Sequence, residues 1–175
     1  MADPTRRVPL GKTSLRVTQL SLGGAPIGGL QGDQANETAQ DIIMRAYELG
    51  IRAFDTAPLY GSGASERRIG RALAQLPREE IVVATKVGRL IRPGENGSHK
   101  PVFDFSYDGV MRSVEESLER MTLDRLDVLH IHDPDRHYDD ALSGAYKALD
   151  ELRRQGVVGA VGAGMNQQEM PARLA

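Results

Sequence analysis

Four residues in this sequence have the types and the spacing to move a proton at an oxygen atom: Asp55, Tyr60, Lys86 and His132. Asp55 closes a short apolar run inside GIRAFDTAPLYGSGASERRIG (residues 50–70), and Tyr60 follows on the next loop. Lys86 ends the β-branched run IVVATK, and His132 ends LDVLHIH. A free tyrosine has a pKa near 10, too high for ready proton exchange at neutral pH. A neighbouring ammonium favours the phenolate, and a carboxylate paired with that ammonium keeps it oriented. The phenol can then give or take a proton at a carbonyl or carbinol oxygen, while an imidazole hydrogen-bonds the same oxygen. Such a group suits carbonyl–alcohol interconversion, but the electrons need a hydride carrier that no side chain supplies. Singly, each residue has a plainer reading. Asp55 caps a loop, Tyr60 packs a rim, Lys86 is a solvated strand end, and His132 is a satisfied core histidine, as His130 is expected to be. Four such residues at three strand ends carry the functional reading.

The elements that position them follow from periodicity. Side chains alternate along a strand, so Ala53 and Asp55 share one face, as do Val82, Ala84 and Lys86, and Val128, His130 and His132. In chain order, residues 7–18 read as a hairpin around Gly11-Lys12, and Leu20–Gly23 as a first buried strand running into the glycine-rich GGAPIGG. Asn36 is expected to cap a helix with Ala39, Ile42, Ile43, Ala46 and Leu49 on its apolar face and Gly50 as its stop. The strand Arg52–Asp55, the helix Ser65–Leu73 and the strand Ile81–Lys86 follow. Gly88–Tyr107 reads as a long polar loop, of a length that is functional or disordered. A helix capped by Ser106 or Asp108 buries Val110, Val114, Leu118 and Met121. After the strand Leu126–His132, a helix over Asp139–Gln155 turns Leu142, Ala145, Leu149 and Leu152 inward, with Gly156 as its stop. Val157–Ala163 is a fifth strand, and a fifth helix begins after Asn166.

Strict strand–helix alternation with apolar strands implies an α/β fold: a parallel sheet with crossover helices, of the (β/α)8 TIM-barrel type, in one domain spanning 1–175. A complete barrel usually takes about 250 residues, so the five strands of these 175 residues read as its first half, truncated at Ala175. The four polar residues then stand on the inward face at the C-terminal rim, where barrel function collects.

Other classes are disfavoured. The net charge of −2, with acids and bases interspersed, offers no nucleic-acid or membrane surface. Without cysteine there are no disulfides, thiolate metal sites or thiol nucleophile. No apolar signal core or membrane-spanning stretch is evident, so the expected location is cytoplasmic. Gly61-Ser62-Gly63 imitates a dinucleotide fingerprint but lacks the third glycine at the right spacing. His130, His132, Asp133 and Asp135 lack a clear third ligand, and no metal is expected.

The stretch GIRAFDTAPLYGSGASERRIG, with TKVG and LHIHDPD after it, resembles the aldo-keto reductase signature, and the resemblance runs from RRVPLGKTSLRVTQLSLGGAPIGG through VVGAVGAGMN. It implies a catalytic tetrad of Asp55, Tyr60, Lys86 and His132, and NAD or NADP as cofactor. Asn166 falls where the family holds the nicotinamide carboxamide, and Gly24 and Ala25 lie on the loop near the nicotinamide ribose. Where many relatives have Ser-Asn, this chain has Met165-Asn166. LGGAPIGGL and FDFSYDGVMRSVEESLERM are most similar to the branch of D-threo-aldose, L-fucose and pyridoxal dehydrogenases. That implies oxidation of a sugar such as L-fucose at C1 to a lactone, with Gly88–Tyr107 helping to form the pocket for a small sugar or aldehyde. Three strands short of the family barrel, the sheet would have open edges suited to self-association. The chain then also reads as a binding or regulatory module without turnover.

Overall fold

Two short strands, β1 (Arg7–Pro9) and β2 (Arg16–Thr18), pair antiparallel around a turn in which Gly11 takes a positive φ of 57°. The computed structural model describes residues 3–167, Glu169 and Ala172. After the hairpin come β3 (Leu22–Gly23), a short helix α1 (Ala25–Gly29) with proline in its first turn, and helix α2 (Ala35–Glu48). Strand β4 (Ala53–Asp55), helix α3 (Ala64–Leu73) and strand β5 (Val82–Val87) complete the first half of the sheet. An antiparallel pair, β6 (Arg89–Pro93) and β7 (His99–Phe103), precedes helix α4 (Tyr107–Met121) and strand β8 (Val128–His132). A continuous helical stretch comprises α5 (Tyr138–Asp140), a π-helical turn (Ala141–Ala145) and α6 (Tyr146–Arg154), and β9 (Ala160–Gly164) follows it.

The five long-range strands form one parallel sheet in the order β3-β4-β5-β8-β9. Neighbouring strands are consecutive crossovers, as a barrel-type α/β fold requires. The helix-facing side of the sheet gives Phe54, Val83, Leu129 and Ile131 to the main core, where they meet Ile43, Ile69, Leu73, Val110, Met121 and Leu149. The opposite face holds a smaller cluster of Val82, Val128 and Ala160, covered by Leu10, Leu15 and Val17 of the hairpin. The hairpin thus closes the lower end of the concave face and leaves its upper end to polar residues.

Register staggers the functional strand ends. Asp55 lies opposite Ala84, Lys86 opposite His130, and His132 opposite Gly164. Lys86 therefore stands one same-face repeat, about 6.6 Å, beyond Asp55's partner, and His132 one repeat beyond Lys86's.

Several local expectations are corrected. Pairing in the first strand covers only Leu22–Gly23, and Leu20 is exposed, its carbonyl accepting from Thr18 Oγ1. Asn36 does not cap α2: Gln34 occupies the cap and Asn36 Oδ1 accepts from Arg68 Nε. Ile42 and Leu49 face outward, because α2 buries only the narrow stripe of Ala35, Ala39 and Ile43. The expected polar loop 88–107 is largely the β6–β7 hairpin, paired over five positions and reversed at Asn96 and Gly97, both with positive φ. Every residue of β7 is exposed, so no apolar alternation marks it in sequence. Of the two candidate caps for α4, Ser106 is the one used, its Oγ accepting from the Gly109 amide. Leu142 is 43% exposed and Ala141 buried instead, since the π turn adds a residue and rotates the apolar stripe. Residues 168, 170, 171 and 173–175 of the expected fifth helix lie outside the described residues.

Candidate active site

Lys86 anchors the site. Its ammonium donates to both carboxylate oxygens of Asp55 and to the Thr56 carbonyl, all at 2.8 Å. Three acceptors match the three ammonium protons, so the cation is fixed although the residue is only 6% exposed. The stagger makes this possible, because the flexible lysine stem spans the repeat that separates the two strand ends.

Tyr60 is delivered by the loop between β4 and α3. Its amide donates to Ala57 O, and its carbonyl accepts from the Ser65 amide. The loop can lie this low only because two glycines meet: a Cβ on Gly61, whose φ is +60°, would sit 2.2 Å from Gly28 O, and one on Gly28 would sit 2.6 Å from the Tyr60 carbonyl carbon. The Lys86 ammonium lies 5.0 Å from the centroid of the Tyr60 ring, and the His132 ring meets Tyr60 edge-on at 6.0 Å.

His132 is buried at the end of β8. Burial first, then the cations Arg89 and Lys86 and the neighbouring His130, push its pKa down to about 3. The imidazole is therefore neutral at physiological pH, available for a neutral hydrogen bond rather than as an acid. An unfolded histidine takes up its proton near pH 6.5 while the folded one resists to about 3. Its contribution to stability is thus complete above about pH 6.5 and is lost as pH falls toward 3. The imidazole shifts of His132 in NMR are expected to stay at their neutral values from about pH 8 to about pH 4.5; a titration near 6.5 would contradict this.

His130 is not the satisfied core histidine expected from its position. It is half-buried on the site's face, burial lowers its pKa, and its Nδ1 has no hydrogen-bond partner among the described residues. Gly24 is tightly enclosed: its amide donates to Asp55 O at 2.7 Å, its carbonyl accepts from Ser65 Oγ at 2.7 Å, and a Cβ there would strike Ser65, Ile69 and Asp55. Ala25, its neighbour, does line the cleft.

The cleft above these residues has a volume of about 600 Å³ and is lined by Ala25, Asp55, Tyr60, Lys86, His132 and Asn166, among others. All four candidate proton-transfer residues thus converge on one space, with Ala25 on one wall and Asn166 on another. Two further charged residues line it that the sequence did not single out for this site, Arg89 and Asp133. They pair at 2.7 Å, Arg89 lies over the Phe103 ring at 4.9 Å, and Asp133 takes a positive φ of 42° with its amide donating to Gly164 O. Their only sequence signal is position, Arg89 two residues beyond the end of β5 and Asp133 immediately beyond that of β8. Both also line an adjoining cavity of about 630 Å³, together with Phe103, Asp135, Arg136 and His137. There the Phe103 and His137 rings stack at 4.9 Å. No group of three carboxylate, imidazole or thiol ligands among the described residues could hold a metal ion.

Compared with known proteins, the chain matches the Aldo/keto reductase family over residues 19–169. It is 42% identical to a D-threo-aldose 1-dehydrogenase of a Pseudomonas species, over 86% of this chain and 50% of that protein. With the pyridoxal 4-dehydrogenase of Microbacterium luteolum it shares 38% identity over 92% of this chain and 56% of the relative. Among solved structures, the holo form of an aldo-keto reductase from Bacillus halodurans superposes with a TM-score of 0.78 at 31% identity, over 91% of this chain and 50% of the other. A glycerol dehydrogenase from Gluconobacter oxydans gives 0.80 at 28% identity, over 99% and 52%. The chain spans about half the length of the curated relatives it matches.

Proposed function

The chain belongs to the aldo/keto reductase family, and we propose that it carries the proton-transfer site of a NAD- or NADP-dependent oxidoreductase interconverting carbonyl and alcohol. The reaction proposed is oxidation of an aldose such as L-fucose at C1 to a lactone. The observation that carries this reading is the Lys86 ammonium, held by three acceptors directly beside the Tyr60 ring.

In this reading the Tyr60 side chain, as phenolate, accepts the proton from the C1 hydroxyl of the sugar, and the phenol so formed returns it in the reverse direction. Lys86 supplies the fixed positive charge beside that phenol, and Asp55 sets where the charge stands. His132, neutral and buried, hydrogen-bonds the same sugar oxygen and orients it. The nicotinamide supplies the hydride acceptor when bound. The residues present fit it: Asn166 and Ala25 both line the cleft above the tetrad, so the Asn166 amide would hold the carboxamide and Ala25 would lie near the ribose. Asn166→Ala is expected to weaken NAD(P) binding about fivefold, the effect of one lost hydrogen bond, as measured by titration calorimetry. The adjoining cavity, with its mixed charges and the Phe103 face, would take the remainder of the sugar.

The test is turnover of the full chain with L-fucose, galactose and arabinose in the presence of NAD or NADP, followed by the absorbance of the reduced nicotinamide. Absence of both cofactor binding and turnover would remove the assignment for this chain. A second substrate, pyridoxal, is favoured by the relative from Microbacterium luteolum and by the stacked Phe103–His137 face, which suits a planar ring.

A further inference from the structure

One charged group near the site has no part in the chemistry proposed above. Glu66, in the first turn of α3, has no exposed surface. Its Oε1 accepts from Thr85 Oγ1 at 2.7 Å and its Oε2 from Arg120 Nε at 2.5 Å. Thr85 immediately precedes Lys86 on β5, its side chain on the opposite face of the strand. Ser65, beside Glu66, donates to the Gly24 carbonyl and accepts from Thr56 Oγ1 at 2.8 Å, and the Thr56 carbonyl in turn accepts from Lys86. One helical turn therefore grips the ends of β3, β4 and β5.

The connection continues outward. Arg120 also donates to Ser117 Oγ and lies 3.5 Å from Glu116, whose other oxygen pairs with Arg92 at 2.8 Å. Arg92 belongs to β6, the strand that presents Arg89 to the cleft. A contiguous run of charged and hydroxyl groups thus extends from the residue next to Lys86, across α3 and α4, to the hairpin beside the site. As a stability device a buried ion pair is poor, since desolvation cancels most of its attraction. What it supplies is direction: two carboxylate oxygens, each bound to a donor on a different element, fix distances that apolar packing leaves adjustable.

We propose that Glu66 is a positioning residue: through Thr85 it sets the placement of Lys86 on Asp55, and through Arg120 and Glu116 it holds the β6–β7 hairpin against the cleft. Its relevance to catalysis rests on the tetrad reading above, but the test needs no turnover.

In the full chain, two quantities are compared among wild type, Thr85→Val and Thr85→Ser. They are the rate of Lys86 acylation by an amine-reactive ester at neutral pH, read by peptide mass mapping, and hydrogen exchange of the amides of residues 89–103. Valine keeps the shape of threonine but cannot donate, so Lys86 labelling is expected to rise about threefold, the effect of one lost hydrogen bond. Serine is expected to restore labelling toward wild type. Glu66→Gln, which removes the charge facing Arg120, is expected to speed exchange in the hairpin about tenfold while α6 amides keep their protection. Unchanged Lys86 labelling in Thr85→Val, or exchange in Glu66→Gln that rises equally in hairpin and α6, would reduce Glu66 to a structural role and overturn the proposal. Should Thr85→Val not fold, Lys86 labelling in Glu66→Gln decides in its place: a rise supports the proposal and no change overturns it. Failure of the aldose assay would leave both readouts intact, so the two readings fail separately.

Discussion

Tyr60→Phe is expected to lower turnover of the full chain by about a thousandfold, within the range of about 10²–10⁴ that positioned proton transfer contributes. The substitution removes one oxygen and nothing else from the site. The Tyr60 hydroxyl makes no hydrogen bond among the described residues, and the ring's contacts with Lys86 and His132 remain available to phenylalanine. Stability should therefore stay within about 0.5 kcal/mol of wild type, and cofactor binding should be little altered. That separation gives the experiment its force: a large loss of rate in a protein of normal melting temperature and normal cofactor affinity. Retained turnover would show that the proton moves by another route and would remove Tyr60 from its role. Loss of rate together with loss of fold would point instead to the loop between β4 and α3, whose low path depends on the Gly28–Gly61 approach.

The largest effect on stability is expected from Gly70→Ala. Glycine inside a helix ordinarily costs about 1 kcal/mol relative to alanine, so on propensity alone this substitution in α3 would stabilise. The tertiary contact reverses the sign. A Cβ on Gly70 would lie 2.1 Å from the Met121 carbonyl oxygen and 2.4 Å from its Cα. Those are backbone atoms at the end of α4, not the movable tip of a side chain, so α3 and α4 must separate. Overpacking against a rigid neighbour costs about 3 kcal/mol or more, leaving a net loss of about 2 kcal/mol after the propensity gain. For a chain of this size that corresponds to a fall in melting temperature of about 4–8 °C. Gly29→Ala is the control, since a Cβ there would meet nothing within 4 Å. Because α3 carries both the Tyr60 loop at its start and Glu66 in its first turn, Gly70→Ala should also reduce activity. A melting temperature equal to wild type would mean that the α3–α4 approach is looser than the structure has it.

The fold reads the same from both directions wherever the signal is carried by consecutive residues. The alternation in VVATK and VLHIH assigns faces to Lys86 and His132, and the parallel sheet keeps that assignment. Ser106 and Asp108 were both legible as caps of α4, and the structure uses Ser106. Elsewhere local rules misled. Asn36 has the chemistry of a cap but spends its oxygen on Arg68, a residue distant in sequence. Leu142 has helical spacing, yet the π turn moves it to solvent. The β6–β7 hairpin has no alternation to detect, because every residue of β7 is exposed.

By itself, then, the sequence determined the order of the five sheet strands and their crossover helices, the shared faces along those strands, and Asp55, Tyr60, Lys86 and His132 as the candidates for proton transfer, all of which depend on neighbours within a few positions. Only the tertiary structure decided how those residues meet. The stagger that lets Lys86 reach Asp55, the Arg89–Asp133 pair, the His130 Nδ1 that lacks a partner among the described residues and the buried Glu66 are set by register and by contacts between distant segments. Strand alternation says which face a side chain occupies; it carries no information on how far one strand is slid against the next, and on that offset the geometry of the site depends.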